Sequence, residues 1–168
     1  MLKLLDLLSD VIADYLLSQI SAGADAVQVF DSWGGILSEE EYKTYSLPYL
    51  EKIFEKLKST QTILYTNGGD HLLKQIRTLP VSCISIDWRT SINRAEDLLG
   101  NKFAIQGNLD PTKLFKTSND VAFETSEMLK KLDRKTSYIA NLGHGILPGT
   151  PPENVKVFVD TVKNFNFA

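Results

Sequence analysis

Residues 141–148 read Asn141-Leu142-Gly143-His144-Gly145-Ile146-Leu147-Pro148. The β-prone residues Tyr138-Ile139-Ala140 precede this stretch, and Thr150-Pro151-Pro152-Glu153-Asn154 after it predicts the start of a helix. Glycines flank His144, one of only two histidines in the chain. We therefore expect a strand that ends in a glycine turn carrying a titratable imidazole, where α/β proteins place their functional groups.

A second segment has the same arrangement. Residues Ala26–Phe30 predict a strand, and Asp31-Ser32-Trp33-Gly34-Gly35 follows it directly. The carboxyl ends of parallel strands meet at one edge of a sheet, so we expect these two ends to contribute halves of one site.

Outward from these two segments, strand and helix patterns alternate along the chain. An amphipathic helix is predicted over Leu2–Ile20, and Ser38 is predicted to cap a helix that runs to about Lys58 and bends at Pro48. Strands are predicted at residues 26–30, 62–65, 83–86, 103–105 and 138–142. Further helices are expected after the caps Asp70 and Ser118, around 94–99, and at 152–164.

Five strands, each followed by a helix, predict a parallel α/β fold with right-handed crossovers. No linker composition interrupts residues 1–168, which we expect to form one unit. An open doubly wound sheet and a (β/α)8 barrel both produce this alternation, but five units fall short of a barrel. Either the sheet is open, or the chain is part of something larger.

The composition is that of an ordinary soluble globular protein, with 43% hydrophobic and 23% charged residues among 168. A net charge of −3 argues against a nucleic-acid partner. Charged residues interrupt the leucine-rich segment Leu2–Ile20. We therefore expect this segment to be neither a membrane span nor a cleaved leader. The single cysteine, Cys83, excludes an internal disulfide and suits the reducing cytoplasm, where we expect the protein.

Polar side chains are predicted at every strand end. His144 has the chemistry of an acid, a base or an anion-binding donor, or else fixes its glycine loop. Ser32 is interpreted as a donor to a bound anion, because its surroundings lack the nucleophile-elbow pattern of hydrolases. The strand-end positions are Asp31, Ser32, Thr66, Asn67, Asp87, Arg89, Gln106, Asn108, Asn141 and His144.

Several of these residues keep two interpretations. Asp31 and Asp87 are either paired carboxylates or residues that tie loops, and Arg89 either binds an acidic ligand or lies on the surface. His71 is interpreted as a solvated or capping residue. No metal site is expected, because Cys83 lies inside an apolar strand and no His/Cys pair has ligand spacing.

Taken together, these segments resemble the uroporphyrinogen decarboxylases. The similarity lies in Gly23–Gly35, Leu47-Pro48-Tyr49, Ile86-Asp87-Trp88, Gln106–Pro111 and Asn141–Val155. The resemblance implies a cytoplasmic (β/α)8 barrel, commonly a homodimer, in porphyrin and haem biosynthesis. It also implies conversion of uroporphyrinogen III to coproporphyrinogen III by decarboxylation of the acetate side chains, with no cofactor and no metal.

By the same resemblance, Ser32 and His144 contact the carboxylates of the substrate, with His144 as the catalytic candidate, and Phe30 packs near the macrocycle. The similarity covers only the carboxyl-terminal half of the family, about five of eight strands. The arginine-bearing amino-terminal motif, the aspartate that coordinates the pyrrole nitrogens and a pocket tyrosine have no counterpart here. We therefore expect activity only when an amino-terminal half completes the barrel.

The alternatives to this function are a non-catalytic fragment or interaction module of the same fold, and a zinc-dependent corrinoid methyltransferase on a related barrel. The methyltransferase is disfavoured because no cysteine lies at the relevant strand ends. Whether the chain is a truncated product, an expressed fragment or a subunit of a split enzyme is left open.

Overall fold

Parallel β-strands alternate with helices in the computed structural model, which describes residues 1–133 and 136–166. The strands are β1 (Ala26–Asp31), β2 (Gln61–Thr66), β3 (Cys83–Ile86), β4 (Ala104–Leu109) and β5 (Tyr138–Leu142). The helices are α1 (Leu2–Ser21), α2 (Glu39–Tyr45), α3 (Leu47–Lys56), α4 (Leu73–Ile76), α5 (Ile92–Leu99), α6 (Ser118–Leu129) and α7 (Pro152–Asn164).

The strands belong to one sheet, in the order β1-β2-β3-β4-β5. β1 pairs in parallel with β2, which places Asp31 opposite Thr66. β4 pairs in parallel with β5, which places Asn108 opposite Asn141. The predicted parallel α/β fold class, with about five strands, is confirmed.

Contacts divide the chain into two compact units, Met1–Ser85 and a second that begins at Ile86. We describe each by itself. The expectation of a single unit over residues 1–168 stays a prediction.

In the first unit, α1 packs on α3 through charged side chains. Lys52 Nζ lies 2.6 Å from Asp6 Oδ1 and 2.9 Å from Asp10 Oδ2, and Lys56 Nζ lies 2.9 Å from Asp10 Oδ1. α1 buries Ala13 and Leu16, whereas Leu4, Leu8 and Ile12 stay exposed. The helix was predicted correctly, but much of its apolar surface is left uncovered by the described residues.

The predicted helix from Ser38 to Lys58 is two helices. Ser38 caps α2 with a capping box, in which its hydroxyl accepts from the Glu41 amide and the Glu41 side chain accepts from the Ser38 amide. α2 ends at Tyr45, and Pro48 lies in the first turn of α3, where a missing N–H costs no hydrogen bond. The proline therefore starts a new helix instead of bending an existing one.

Two predicted helix caps are wrong. Asp70 lies inside a short 3-10 turn, Asp70–Leu72, that leads into α4 and follows Gly69. In the second unit, Thr117 caps α6 by accepting from the Asp120 amide, while the Ser118 hydroxyl donates to Asn154 Oδ1 over 3.0 Å.

β4 is longer than its apolar residues predicted. It includes Gln106, Gly107 and Asn108, which the sequence had placed beyond the strand. Asp110 follows it, and its carboxylate accepts from the Thr112 amide at the start of the next turn. Gln106, Gly107 and Asn108 thus lie within β4, ahead of its last residue, Leu109, so hydrophobicity alone marked the end of the strand too early.

Cys83 lies buried in β3, and burial raises the pKa of its thiol to about 12. At neutral pH the side chain is therefore a protonated, structural thiol. Over residues 1–133 and 136–166, no helix is both long and apolar enough to span a membrane.

A buried tyrosine fixes the carboxyl end of β1. Tyr42 on α2 is fully buried, and its hydroxyl donates to Asp31 Oδ2 over 2.9 Å. Ser46 Oγ donates to the same oxygen over 3.1 Å. Burial, followed by the negative charge of Asp31, holds the pKa of Tyr42 far above its usual value, so the phenol remains a donor.

We expect Tyr42→Phe to lower the free energy of unfolding by about 2 kcal/mol, because a buried hydrogen bond to a carboxylate is lost. Tyr45→Phe is the matched control, since Tyr45 is exposed on the same helix, and it should change the value by less than about 0.5 kcal/mol. Urea unfolding followed by circular dichroism measures both. Equal stabilities of the two variants would contradict the anchoring role of Tyr42.

Candidate functional site

In the first unit, Phe30, Asp31 and Ser32 stand at the carboxyl end of β1. Phe30 is 67% exposed, and its ring centroid lies 6.0 Å from that of Tyr65 in an edge-to-face arrangement. Ser32 is partly exposed, and its hydroxyl has no hydrogen-bond partner within residues 1–133 and 136–166. Asp31, by contrast, is engaged by Tyr42 and Ser46.

The turn that carries Ser32 is fixed by glycines. A Cβ on Gly34 would lie 2.2 Å from Asp31 Oδ2, and one on Gly35 would lie 2.0 Å from the Asn67 carbonyl oxygen. The turns after β1 and β2 therefore meet with no side chain between them. His71 is exposed, and its Nε2 donates to the Leu37 carbonyl over 2.9 Å; its interpretation as a solvated or capping residue stays a prediction.

In the second unit, Asp87 follows β3 and is buried. Its Oδ1 accepts from the Arg89 amide and its Oδ2 from Arg89 Nη2, both over 2.8 Å. Asn108 Nδ2 donates to the carbonyls of Asp87 and Thr90 over 2.9 and 2.6 Å. The turn after β3 is thus held by a carboxylate from within and by an amide from β4.

His144 lies exposed on the turn after β5. Its ring stands edge-to-face with the indole of Trp88, with 6.2 Å between centroids. The backbones beneath also touch, since a Cβ on Gly143 would lie 2.2 Å from the Trp88 amide nitrogen. The imidazole is therefore positioned by an aromatic neighbour and by a close backbone contact.

These contacts separate the predicted strand-end residues into two groups. Asp31, Asp87 and Asn108 are engaged in contacts that hold loops, which favours the loop-tying interpretation of both aspartates. Ser32, Phe30, Arg89 and His144 reach the surface. Trp88 is a residue of this region that sequence reasoning missed; an aromatic residue directly after a strand-end aspartate was the available signal.

No group of three or more His, Cys, Asp or Glu side chains is arranged to hold a metal ion in the part of the chain that the structure describes.

Comparison with known proteins gives a family. The model of the uroporphyrinogen decarboxylase family matches residues 1–165. A uroporphyrinogen decarboxylase of Ruthia magnifica subsp. Calyptogena magnifica is 41% identical over 170 residues, which cover 98% of this chain and 49% of the relative. One from Aromatoleum aromaticum is 43% identical over 160 residues, which cover 92% and 45%.

The chain belongs to the uroporphyrinogen decarboxylase family. The predicted resemblance is confirmed, and the chain spans about half the length of the curated relatives it matches. Among solved structures, a methyltransferase from Methanosarcina mazei superposes with a TM-score of 0.81 at 21% identity, over 92% of this chain and 46% of that one. This likeness shows a shared fold.

We expect Gly143→Ala to lower the free energy of unfolding by about 2 kcal/mol, because the new methyl group would overlap the Trp88 backbone and force the two turns apart. Gly145→Ala, whose Cβ meets nothing within 4 Å, should change it by less than about 0.5 kcal/mol. Thermal and urea unfolding measure the difference. Similar values for both variants would show that the turns do not touch.

Proposed function

We propose that this chain supplies the carboxyl-terminal strands of a uroporphyrinogen decarboxylase, which converts uroporphyrinogen III to coproporphyrinogen III. The observation that carries the proposal is the family match over residues 1–165, with about 40% identity to curated decarboxylases along nearly all of the chain. The exposed strand-end residues are consistent with it.

The reaction removes carbon dioxide from four acetate side chains and leaves methyl groups. In this family the protonated pyrrole acts as the electron sink: the electrons of the breaking C–C bond move into the ring as carbon dioxide leaves. The methylene carbon then takes up a proton, and the ring releases the proton that it had gained, which restores the pyrrole. The protein therefore has to position the substrate, move protons and stabilise charge.

We assign His144 to proton transfer or carboxylate binding, Ser32 to carboxylate binding, and Phe30 to contact with the macrocycle. An imidazole on an exposed glycine turn suits the first role, since its ring nitrogens can donate or accept a hydrogen bond. The Ser32 hydroxyl, which has no hydrogen-bond partner among residues 1–133 and 136–166, suits the second. The exposed ring of Phe30 offers an apolar surface to a flat tetrapyrrole.

We further propose that turnover requires a segment equivalent to the amino-terminal half of the family, which carries the aspartate expected to coordinate the pyrrole nitrogens. Asp31 and Asp87 do not match the motif of that aspartate, and both are engaged in loop-holding contacts. Action in haem biosynthesis, a cytoplasmic location and a homodimeric assembly belong to the same proposal.

A second candidate function is a non-catalytic interaction module of this fold. The exposed apolar residues of α1 favour it, because such a surface is normally covered by another segment or protein. Under this alternative the chain would bind its partner without any porphyrinogen turnover.

In the enzyme reconstituted with an amino-terminal half, we expect His144→Ala to lower kcat/KM for uroporphyrinogen III about a hundredfold. Ser32→Ala should lower it about tenfold through one lost hydrogen bond to a carboxylate. Anaerobic turnover with chromatography of the products measures both. The controls are His71→Gln and the exposed Ser59→Ala, which should retain wild-type turnover. Wild-type rates in both test variants would overturn the site assignment.

A further inference from the structure

We propose that Arg89 binds a carboxylate group of the ligand, as a second hydrogen-bonding contact beside His144. This inference rests on the proposed function, because it assumes that the ligand carries several carboxylates. The sequence left open whether Arg89 binds an acidic ligand or lies on the surface, and the structure places it beyond a strand end in the same unit as His144.

The first observation is that the buried carboxylate of Asp87 anchors the guanidinium group of Arg89. The Asp87 side chain is 0% exposed, while that of Arg89 is 53% exposed, and Nη2 and Oδ2 are 2.8 Å apart. The other carboxylate oxygen holds the Arg89 amide, and Asn108 holds the Asp87 carbonyl. A buried carboxylate thus fixes one edge of the guanidinium and leaves the group at the surface.

The second observation is that the guanidinium lies over an aromatic ring. Arg89 Cζ is 4.7 Å from the centroid of the Trp88 indole. This cation–π contact restrains the side chain further. Arginine is the residue best suited to bind carboxylates with two parallel hydrogen bonds, and prior restraint lowers the entropy lost on binding.

The third observation is the position of His144 on the same indole. The centroid of the His144 ring lies 6.2 Å from that of Trp88, and Arg89 Cζ lies 4.7 Å from the same Trp88 centroid. The imidazole and the guanidinium therefore both contact one indole. Both side chains are exposed and both follow strand ends, β5 and β3. The guanidinium and the imidazole, which both contact the Trp88 indole, can donate hydrogen bonds to two carboxylates of a single polycarboxylate.

Arg89 is surrounded by both acidic and basic side chains. It lines a cavity of about 440 Å³ together with Trp88 and Asn108. Of the acidic residues of this cavity, Glu124 is paired with Lys113 and Lys116, and Glu127 with Lys130. The third, Asp110, accepts from the Thr112 amide and hydroxyl. In a chain with a net charge of −3, a polyanionic ligand depends on such local cations.

The test measures binding of uroporphyrin III, the stable octacarboxylate, to the full chain by fluorescence titration at two salt concentrations. We expect Arg89→Gln to weaken binding about tenfold and to reduce the salt dependence, because one charged hydrogen-bonding contact is lost. Arg94→Gln, which removes an exposed arginine from α5, is the matched control and should bind as the wild type does.

Arg89→Gln leaves Asp87 buried without its cation, which lowers the stability of the variant. The double variant Asp87→Asn with Arg89→Gln removes both charges, keeps the net charge of the chain and preserves neutral hydrogen-bonding groups. It should melt close to the wild type and still bind about tenfold more weakly. A folded double variant with wild-type affinity would overturn the inference.

Absence of uroporphyrin binding by the wild-type chain would also overturn the inference, since Arg89 is already held by Asp87 and Trp88 in this chain. Turnover by the reconstituted enzyme decides the proposed function independently. Equal affinity of all variants together with normal turnover would reject the role of Arg89 alone, whereas tenfold weaker binding without turnover would reject only the decarboxylase proposal.

Discussion

The turn after β5 can approach the turn after β3 only because residue 143 has no side chain. A Cβ at this position would lie 2.2 Å from the Trp88 amide nitrogen and 2.9 Å from the Asp87 carbonyl carbon. The position of His144 beside the indole follows from this contact. The same solution recurs in the first unit, where Gly35 lets the turn after β1 touch the backbone at Asn67. Contact between glycine turns at strand ends is therefore what positions the exposed polar groups.

The polar residues at the strand ends are of two kinds: some hold the turns by hydrogen bonds, and others are exposed at the surface. Asp31 accepts from two hydroxyls of α2 and the residue after it, and Asp87 holds Arg89 by main chain and side chain. Both carboxylates thereby hold the turns after their strands in place. The groups left at the surface are donors and a titratable ring, in Ser32, Arg89 and His144. Each of these groups is suited to contact a carboxylate.

Much of this arrangement could be predicted from the sequence. Hydrophobic periodicity and the glycines that mark turns correctly predicted the strand that begins at Ala26, the strand that begins at Tyr138 and the final helix. These signals depend only on neighbouring residues. The ends of β4 and the caps at Thr117 and Gly69 were missed. Thr117 and Ser118 are both suited to cap a helix, and the hydroxyl of Ser118 instead bonds to Asn154. The polar end of β4 belongs to the strand because it pairs with β5 there. The role of Trp88 was missed for a different reason: its ring contact joins residues 88 and 144, which lie far apart in the sequence, and the one local signal was an aromatic residue directly after a strand-end aspartate.

The central claim is that this chain forms part of a decarboxylase site that another segment completes. Anaerobic turnover of uroporphyrinogen III by the wild-type chain alone, by a separately produced amino-terminal half of a family member, and by their mixture tests it most directly. We expect coproporphyrinogen only in the mixture. Activity of the chain alone would contradict the requirement for a second segment, and a mixture that forms a complex without any product would contradict the decarboxylase assignment.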